Sequence, residues 1–370
     1  MAEVSAREAA MDSDIRQLPR NGMRELFVTR AGAGPETLPP TVEYMEQTRA
    51  AKVVAAEYFG PQTEAGAQAT AADLLSDARM PLTWVQGGLP GKGLGGMHLH
   101  AVAGAEVRPL VLDGQVVGTV VNGPYASECM LGGIRPLDTT VAADLQARAA
   151  YERMEQALSL AEMGFCHVVR TWLFLDDILS WYSDFNRVRT SFFTEHGVFD
   201  RLVPASTGIG GSNPAGAAIV AGVYAVKSEH PQVTVQAIAS PLQCPALEYG
   251  SSFSRAVEVN MPDLRRLLIS GTASIGPDGN TQHVGEVRAQ TALTCEVIGA
   301  ILESRDMAWE EVTRATAYVR HGEDAGVLAQ FCSAAGMPDL PVIVADNVIC
   351  RDDLLFELEV DAVQTQAVEA

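Results

Sequence analysis

Residues 264–275, LRRLLISGTASI, read as a strand, and the organisation of the chain up to residue 362 can be worked out from it. The GPDGN that follows (276–280) has the Asp-Gly chemistry of a hairpin turn. A helix is predicted from Gly285 to Glu303, because Ala289, Leu293, Val297, Ala300 and Ile301 recur on one face of a 3.6-residue period. VTRATAYVR (312–320) reads as the next strand and Asp324–Ala335 as a second helix. PVIVADNVI (341–349) and LLFELEVDAV (354–363) are two more strands, joined through Cys350–Asp353. With the hairpin counted as two strands, the order is ββαβαββ.

Working back along the chain, the same order recurs. GQVVGTVVNG (114–123) opens it as a strand, and a helix follows over 141–162 with Ala150, Met154, Ala157, Leu158 and Ala161 on one face. HVVRTWLFL (167–175) is a strand and WYSDFNRVRTSFF (181–193) a helix, and AAIVAGVYAVK (217–227) and VTVQAIAS (233–240) close the unit. VVRTWLF (168–174) aligns with VTRATAY (312–318), which sets Arg170 against Arg314 and points to duplication. The expected domains are a flexible polar tail (1–24), an N-terminal domain (25–112), a first repeat unit (113–258) and a second (259–370). The N-terminal domain has strands at RELFVTRA, LTWVQGG and HLHAVAG; it is either a degenerate third copy or a separate fold. Sheets covered by amphipathic helices make the fold class α+β, with two ββαβαββ units plus the N-terminal domain.

Composition narrows the function. The chain has 370 residues, is 47% hydrophobic and carries 46 acidic against 26 basic residues, a formal net charge of −20. That surface repels phosphate backbones, so nucleic acid is not an expected partner. Arginines placed against such a field are candidates for holding an anion. No apolar run approaches the roughly 20 residues of a spanning helix, so no membrane role is expected. The first 24 residues lack the apolar centre of a signal peptide. The six cysteines form no CxxC pair, and His98 and His100 have no acidic neighbour in sequence, so no metal is expected and the cytoplasm is the expected compartment. Gly88–Gly96, GLPGKGLGG, has five glycines in nine residues but not the spacing of a phosphate loop, and there is no nucleophile elbow.

Four clusters can carry chemistry. In NVICRDDLLFELEVDA (347–362) strand alternation puts Leu355, Glu357 and Glu359 on one face and Phe356, Leu358 and Val360 on the other. The apolar set faces the helices; the two glutamates meet either water or a ligand. Arg170, inside an apolar strand, needs a carboxylate partner from the protein or from a ligand. Arg187 and Arg189, beside Asn186, read as surface ion-pair formers. PASTGIGGSNPAG (204–216) is rich in small residues that permit close approach, with Tyr224 on the strand beyond, and YGSSFSRA (249–256) contributes Arg255.

Together these pieces resemble the chorismatase family of the RidA/YjgF-like superfamily. The resemblance rests on LISGTASI, ATAYVR, CRDDLLFELE, HVVRTWLFLDDI, DFNRVRTSFF, PASTGIGG and YGSSFSRA and covers roughly 110–365. It implies RidA/YjgF-like (chorismate-mutase-like) units and cleavage of the enolpyruvyl ether of chorismate without a cofactor. It implies Glu357 as the acid that protonates the enol methylene. Chorismate carries two carboxylates, which suits bidentate arginines; Arg170, Arg255, Arg320 and Arg351 are the candidates, with Tyr224 as a neutral donor. Cys350 stands where the resemblance distinguishes a 3-hydroxybenzoate-forming branch from a hydrolysing branch that has alanine. The expected products are therefore pyruvate and 3-hydroxybenzoate, through an arene-oxide-like intermediate. The alternatives are a mixture of 3- and 4-hydroxybenzoate, the dihydroxycyclohexadiene carboxylate, a RidA-like enamine or imine deaminase, or a metabolite-binding protein without catalysis. The repeats allow a RidA-like interface to form within one chain, so a monomer is expected, with a trimer as the alternative.

Overall fold

The computed structural model describes residues 13–61, 79–88 and 94–367. Three mixed sheets are built on one plan. The third, from the decisive stretch, contains β12 (Thr234–Ile238), β13 (Ala256–Met261), β14 (Leu264–Ala273), β15 (Val312–Val319), β16 (Val342–Asp346) and β17 (Phe356–Thr365), in the spatial order β12-β13-β14-β17-β15-β16. The second contains β6 (Glu106–Leu112), β7 (Gln115–Asn122), β8 (Ser127–Ile134), β9 (Val168–Leu175), β10 (Ala205–Gly210) and β11 (Ile219–Lys227), ordered β6-β7-β8-β11-β9-β10. The first has β1 (Asp14–Arg20), β2 (Met23–Ala31), β3 (Lys52–Phe59), β4 (Leu82–Val85) and β5 (Gly96–Ala103), ordered β1-β2-β5-β3-β4. This is the same order with one outer strand fewer, so the N-terminal region repeats the plan of the other two.

The helices are α1 (Leu38–Arg49), α2 (Ala143–Ser159), α3 (Ile178–Glu195), α4 (Val287–Glu303) and α5 (Val327–Ala335). Each sheet buries one face under helices. Phe356, Leu358, Val360 and Ala362 of β17 pack with Val297, Ile298, Ile301 and Leu302 of α4, as strand alternation requires. The opposite faces of all three sheets share one core that includes Phe59, Phe174, Val220, Val257 and Tyr318. Phe59, Phe174 and Tyr318 come from corresponding strands, β3, β9 and β15. Phe59 meets Phe174 at 5.7 Å and Tyr318 at 6.0 Å between ring centroids, both edge-on.

The edge strand of each sheet abuts the next sheet cyclically: β4 against β8, β10 against β14, and β16 against β2. Polar junctions, two of which follow, bind all three sheets. Arg20 is buried against Glu25 (2.5 Å), Glu128 (2.7 Å) and Asp263 (2.9 Å). The Asn347 amide donates to the Gln86 and Gly210 carbonyls, each at 2.8 Å.

Several expectations need correction. Asp14–Arg20, expected within the flexible tail, is a strand paired along its length with β2, and Arg20 is buried; residues 1–12 lie outside the described residues. VTVQAIAS, expected in the middle unit, forms a strand that pairs with β13 and extends the third sheet. Strands β8 and β10 were not foreseen: SECMLGGI and ASTGIG are too rich in small residues to show an apolar pattern. Of the glycine-rich stretch 88–96, residues 89–93 lie outside the described residues.

Candidate active site

Between β10 of the second sheet and β14 and β17 of the third lies a cavity of about 270 Å³. Helix α3 contributes Tyr182, Asn186 and Arg189, spaced i, i+4 and i+7 and so on one face. The segment before β13 adds Tyr249, Ser251, Phe253 and Arg255, and the loop entering β17 adds Cys350, Arg351 and Leu354. Glu357, the second residue of β17, forms part of the wall.

The loop that carries Cys350 and Arg351 is held from two sides. Gln290 of α4, fully buried, donates to the Asp353 carbonyl and accepts from the Leu355 N–H, both at 2.8 Å. Arg320 donates to the carbonyls of Arg351 (2.9 Å) and Leu354 (3.2 Å). These contacts fix the approach to β17, and β17 pairs with β14 and β15 so that Glu357 stands opposite Ala273 and Tyr318.

Glu357 and Glu359 face away from the helices, as alternation predicts, but neither meets bulk water: they are 5% and 0% exposed. Their environments differ sharply. Glu359 ion-pairs with Arg170 (2.9 Å) and Arg314 (2.8 Å). Burial raises its pKa, but these two guanidiniums outweigh burial and leave it below the ordinary carboxylate range. Glu357 has no ion pair and receives no side-chain hydrogen bond among the described residues. Burial first, and then the charge of Glu359, push its pKa up to about 8 against the weaker pull of Arg170 and Arg255. One carboxyl is thus kept neutral beside another kept charged, an arrangement suited to general-acid chemistry. Burial, with Glu357 next, pushes the Cys350 thiol up to about 12, so it remains undissociated.

Three guanidiniums line the cavity. Arg255 donates to the Cys244 carbonyl through Nε (3.0 Å) and Nη2 (2.8 Å), and Arg351 donates to the Gly279 carbonyl at 2.8 Å. Both lie over the Tyr249 ring, at 5.4 and 5.3 Å from its centroid. Arg189 donates to the Asn186 side chain at 2.6 Å, and its buried Nε has no partner among the described residues. The cavity therefore has the charge of an anion site.

Of the residues expected to touch substrate, Arg255 and Arg351 line the cavity with Glu357 and Cys350. The other three do not. Arg170 is fully buried behind the wall, held by Glu359 and Thr207 and lying 5.1 Å over Trp172. Tyr224 donates to Glu128 near the Arg20 junction, beside a separate space of about 60 Å³ that also touches Glu57, Arg314 and Asp361. Arg320 donates to the loop carbonyls of Arg351 and Leu354 and to the Asp352 carboxylate. Arg189 is corrected in the other direction: expected on the surface, it is 2% exposed and lines the cavity, while Arg187 does pair at the surface with Asp144 and Asp184. The sequence reading does not single out Tyr182, Asn186 or Tyr249; for the first two the polar stripe on the inner face of α3 is the available signal.

A 3-hydroxybenzoate synthase from Streptomyces hygroscopicus is 30% identical over 240 residues, covering 57% of this chain and 67% of that one. The chain belongs to the chorismatase family. A family model described as chorismatase FkbO/Hyg5-like, N-terminal, matches residues 125–221, which run from β8 into the start of β11 and include α3 of the site. A chorismatase from the same organism is 26% identical over 220 residues, 53% of this chain and 62% of that relative's length. The crystal structure of a chorismatase shares the fold, with a TM-score of 0.63 at 21% identity over 84% of this chain and 92% of that one. The chain is thus an enzyme of the chorismatase family. Among the described residues no helix is long and apolar enough to cross a membrane.

Proposed function

We propose that the enzyme cleaves chorismate to pyruvate and 3-hydroxybenzoate, with Glu357 as the general acid. The observation that carries the reading is a carboxyl held neutral, with a pKa of about 8, in a cavity lined by Arg189, Arg255 and Arg351. A dianion suits those cations, and a neutral acid suits an enol ether, which is cleaved by protonation at carbon.

In this reading Glu357 delivers its proton to the enol methylene. The bond from the ring carbon to the bridging oxygen breaks, and its electron pair becomes part of the pyruvate carbonyl. The neighbouring ring hydroxyl takes the vacated carbon and gives its proton back to the Glu357 carboxylate, leaving an arene-oxide-like intermediate. Opening of that ring and loss of the ring hydrogen give the phenol. Atoms balance without water, since chorismate equals the sum of the two products. Cys350, an undissociated thiol beside Glu357, supports the branch in which water is kept out; a thiol with its pKa near 12 is not a base or nucleophile at neutral pH.

The cyclic packing of three sheets within one chain supports action as a monomer, and a cytoplasmic site of action belongs to the same reading. Sedimentation showing a trimer as the sole species counts against the monomer. The function is tested by incubating the purified protein with chorismate, without added metal or cofactor, separating the products and assaying pyruvate. Equimolar pyruvate and 3-hydroxybenzoate are expected. The dihydrodiol or 4-hydroxybenzoate overturns the product, and absence of pyruvate overturns the reaction in favour of imine hydrolysis or binding alone.

A further inference from the structure

The Thr207 hydroxyl, in β10, sits where the second and third sheets meet. Its oxygen accepts from Arg170 Nη2 at 2.7 Å and from the Gly271 N–H at 3.0 Å. The same Arg170 nitrogen donates to Glu359 Oε2 at 2.9 Å. A hydroxyl has two acceptor sites, and both of this one's are taken. Thr207 is 1% exposed and does not line the cavity.

Gly271 is the residue against which the Glu357 carboxyl rests. A Cβ there would overlap Glu357 Oε1, and the Thr207 methyl lies 3.1 Å from the same point. Gly271 falls in the irregular stretch of β14, between Ile269 and Thr272, where pairing with β17 shifts register. The ladder alone therefore does not hold this peptide, and the Thr207 bond supplies a missing acceptor. The Ser270 hydroxyl secures the same stretch by accepting from the Ser206 N–H at 2.8 Å.

We propose that Thr207 is a positioning residue for Glu357, tying the Arg170–Glu359 ion pair of the sheet interface to the Gly271 backbone that supports the acid. The proposal deepens the function above and rests on it for the acid's role. Thr207 touches neither the cavity nor the reacting atoms. It acts by keeping the Gly271 peptide closed over the carboxyl, and so by keeping water from the group whose neutrality depends on burial.

The test compares Thr207→Val, which keeps the shape and loses the hydroxyl, with Thr207→Ser, which keeps the hydroxyl. Two readouts are taken. The first is the Glu357 carboxyl titration in the unliganded protein, followed by infrared difference spectra and assigned with Glu357→Gln. The second is the pH dependence of kcat with chorismate. Thr207→Val is expected to move the titration midpoint down by at least half a pH unit and to lower kcat about tenfold, with KM within twofold of the parent. Thr207→Ser should restore both midpoint and kcat. An unchanged midpoint in a folded Thr207→Val protein, or a Thr207→Ser protein that behaves like it, overturns the proposal. If Thr207→Val does not fold, Thr207→Ser and Thr207→Ala are compared on the same titration; equal midpoints overturn it. Failure of the parent protein to release pyruvate removes the proposed reaction while leaving the infrared result to be read by itself.

Discussion

The Glu357 carboxyl occupies the space that a side chain on residue 271 would fill. The acid and the glycine are on paired strands, β17 and β14, and the close approach depends on residue 271 having no Cβ. Gly271→Ala is therefore expected to displace the carboxyl rather than to disturb the fold at large. Its kcat should fall by about 100-fold or more, the loss that follows when a general acid is misplaced, with a melting temperature within a few degrees of the parent. Steady-state kinetics and a thermal melt check the two halves.

The raised pKa of Glu357 gives activity and stability a joint dependence on pH. As an acid it must be protonated, so kcat should hold at neutral pH and fall as pH rises through about 8. For stability the sign follows from proton counts. Between its ordinary value of 4.5 and about 8 the folded state binds this proton and the unfolded state does not. Stability from this group therefore falls with rising pH across that window, by up to about 1.4 kcal/mol per unit. Glu357→Gln should abolish turnover while retaining product binding, and should flatten that slope. Urea unfolding at several pH values shows whether it does.

Cys350 separates packing from product control. Cys350→Ala vacates volume beside Glu357 and admits water, so the product should shift from 3-hydroxybenzoate towards the dihydrodiol with pyruvate release maintained. Chromatography of the products decides. An unchanged ratio would reduce the thiol to a small, partly buried hydrophobe.

Two arginines two residues apart on α3 make a matched pair. Arg189→Lys keeps the charge but loses the planar fork, and a rise in KM of about 10-fold or more is expected. Arg187→Lys, at the surface, should leave KM and kcat as they were, because exposed ion pairs contribute about 0–1 kcal/mol.

Much of this site could be read from one strand. Alternation in FELEVDA separated the helix-facing residues from Glu357 and Glu359, and both expectations hold. The alignment of Arg170 with Arg314 was also sound, yet it marked the shared interior and not the substrate. Both guanidiniums meet on Glu359, and the bond from Arg170 spans 189 positions of sequence. No local pattern announces such a partner, so an arginine in an apolar strand could not be assigned to protein or to ligand. Tyr224 failed for the same reason, its partner Glu128 lying on a strand, β8, that had not been recognised. Arg189 was hidden by its neighbours, since Asp184, Asn186 and Arg187 give that turn of helix a solvated appearance.

The ring of sheets closes where β16 meets β2, and there the Thr29 hydroxyl reaches the Pro341 carbonyl across 312 positions of sequence. Loop closure over such a span gains nothing until both ends are in place. During synthesis the first two sheets must wait, with edges open, for the strands that seal them. Glu357 lies on β17, which follows the other described strands in sequence, so the acid is synthesised after the strands that enclose it.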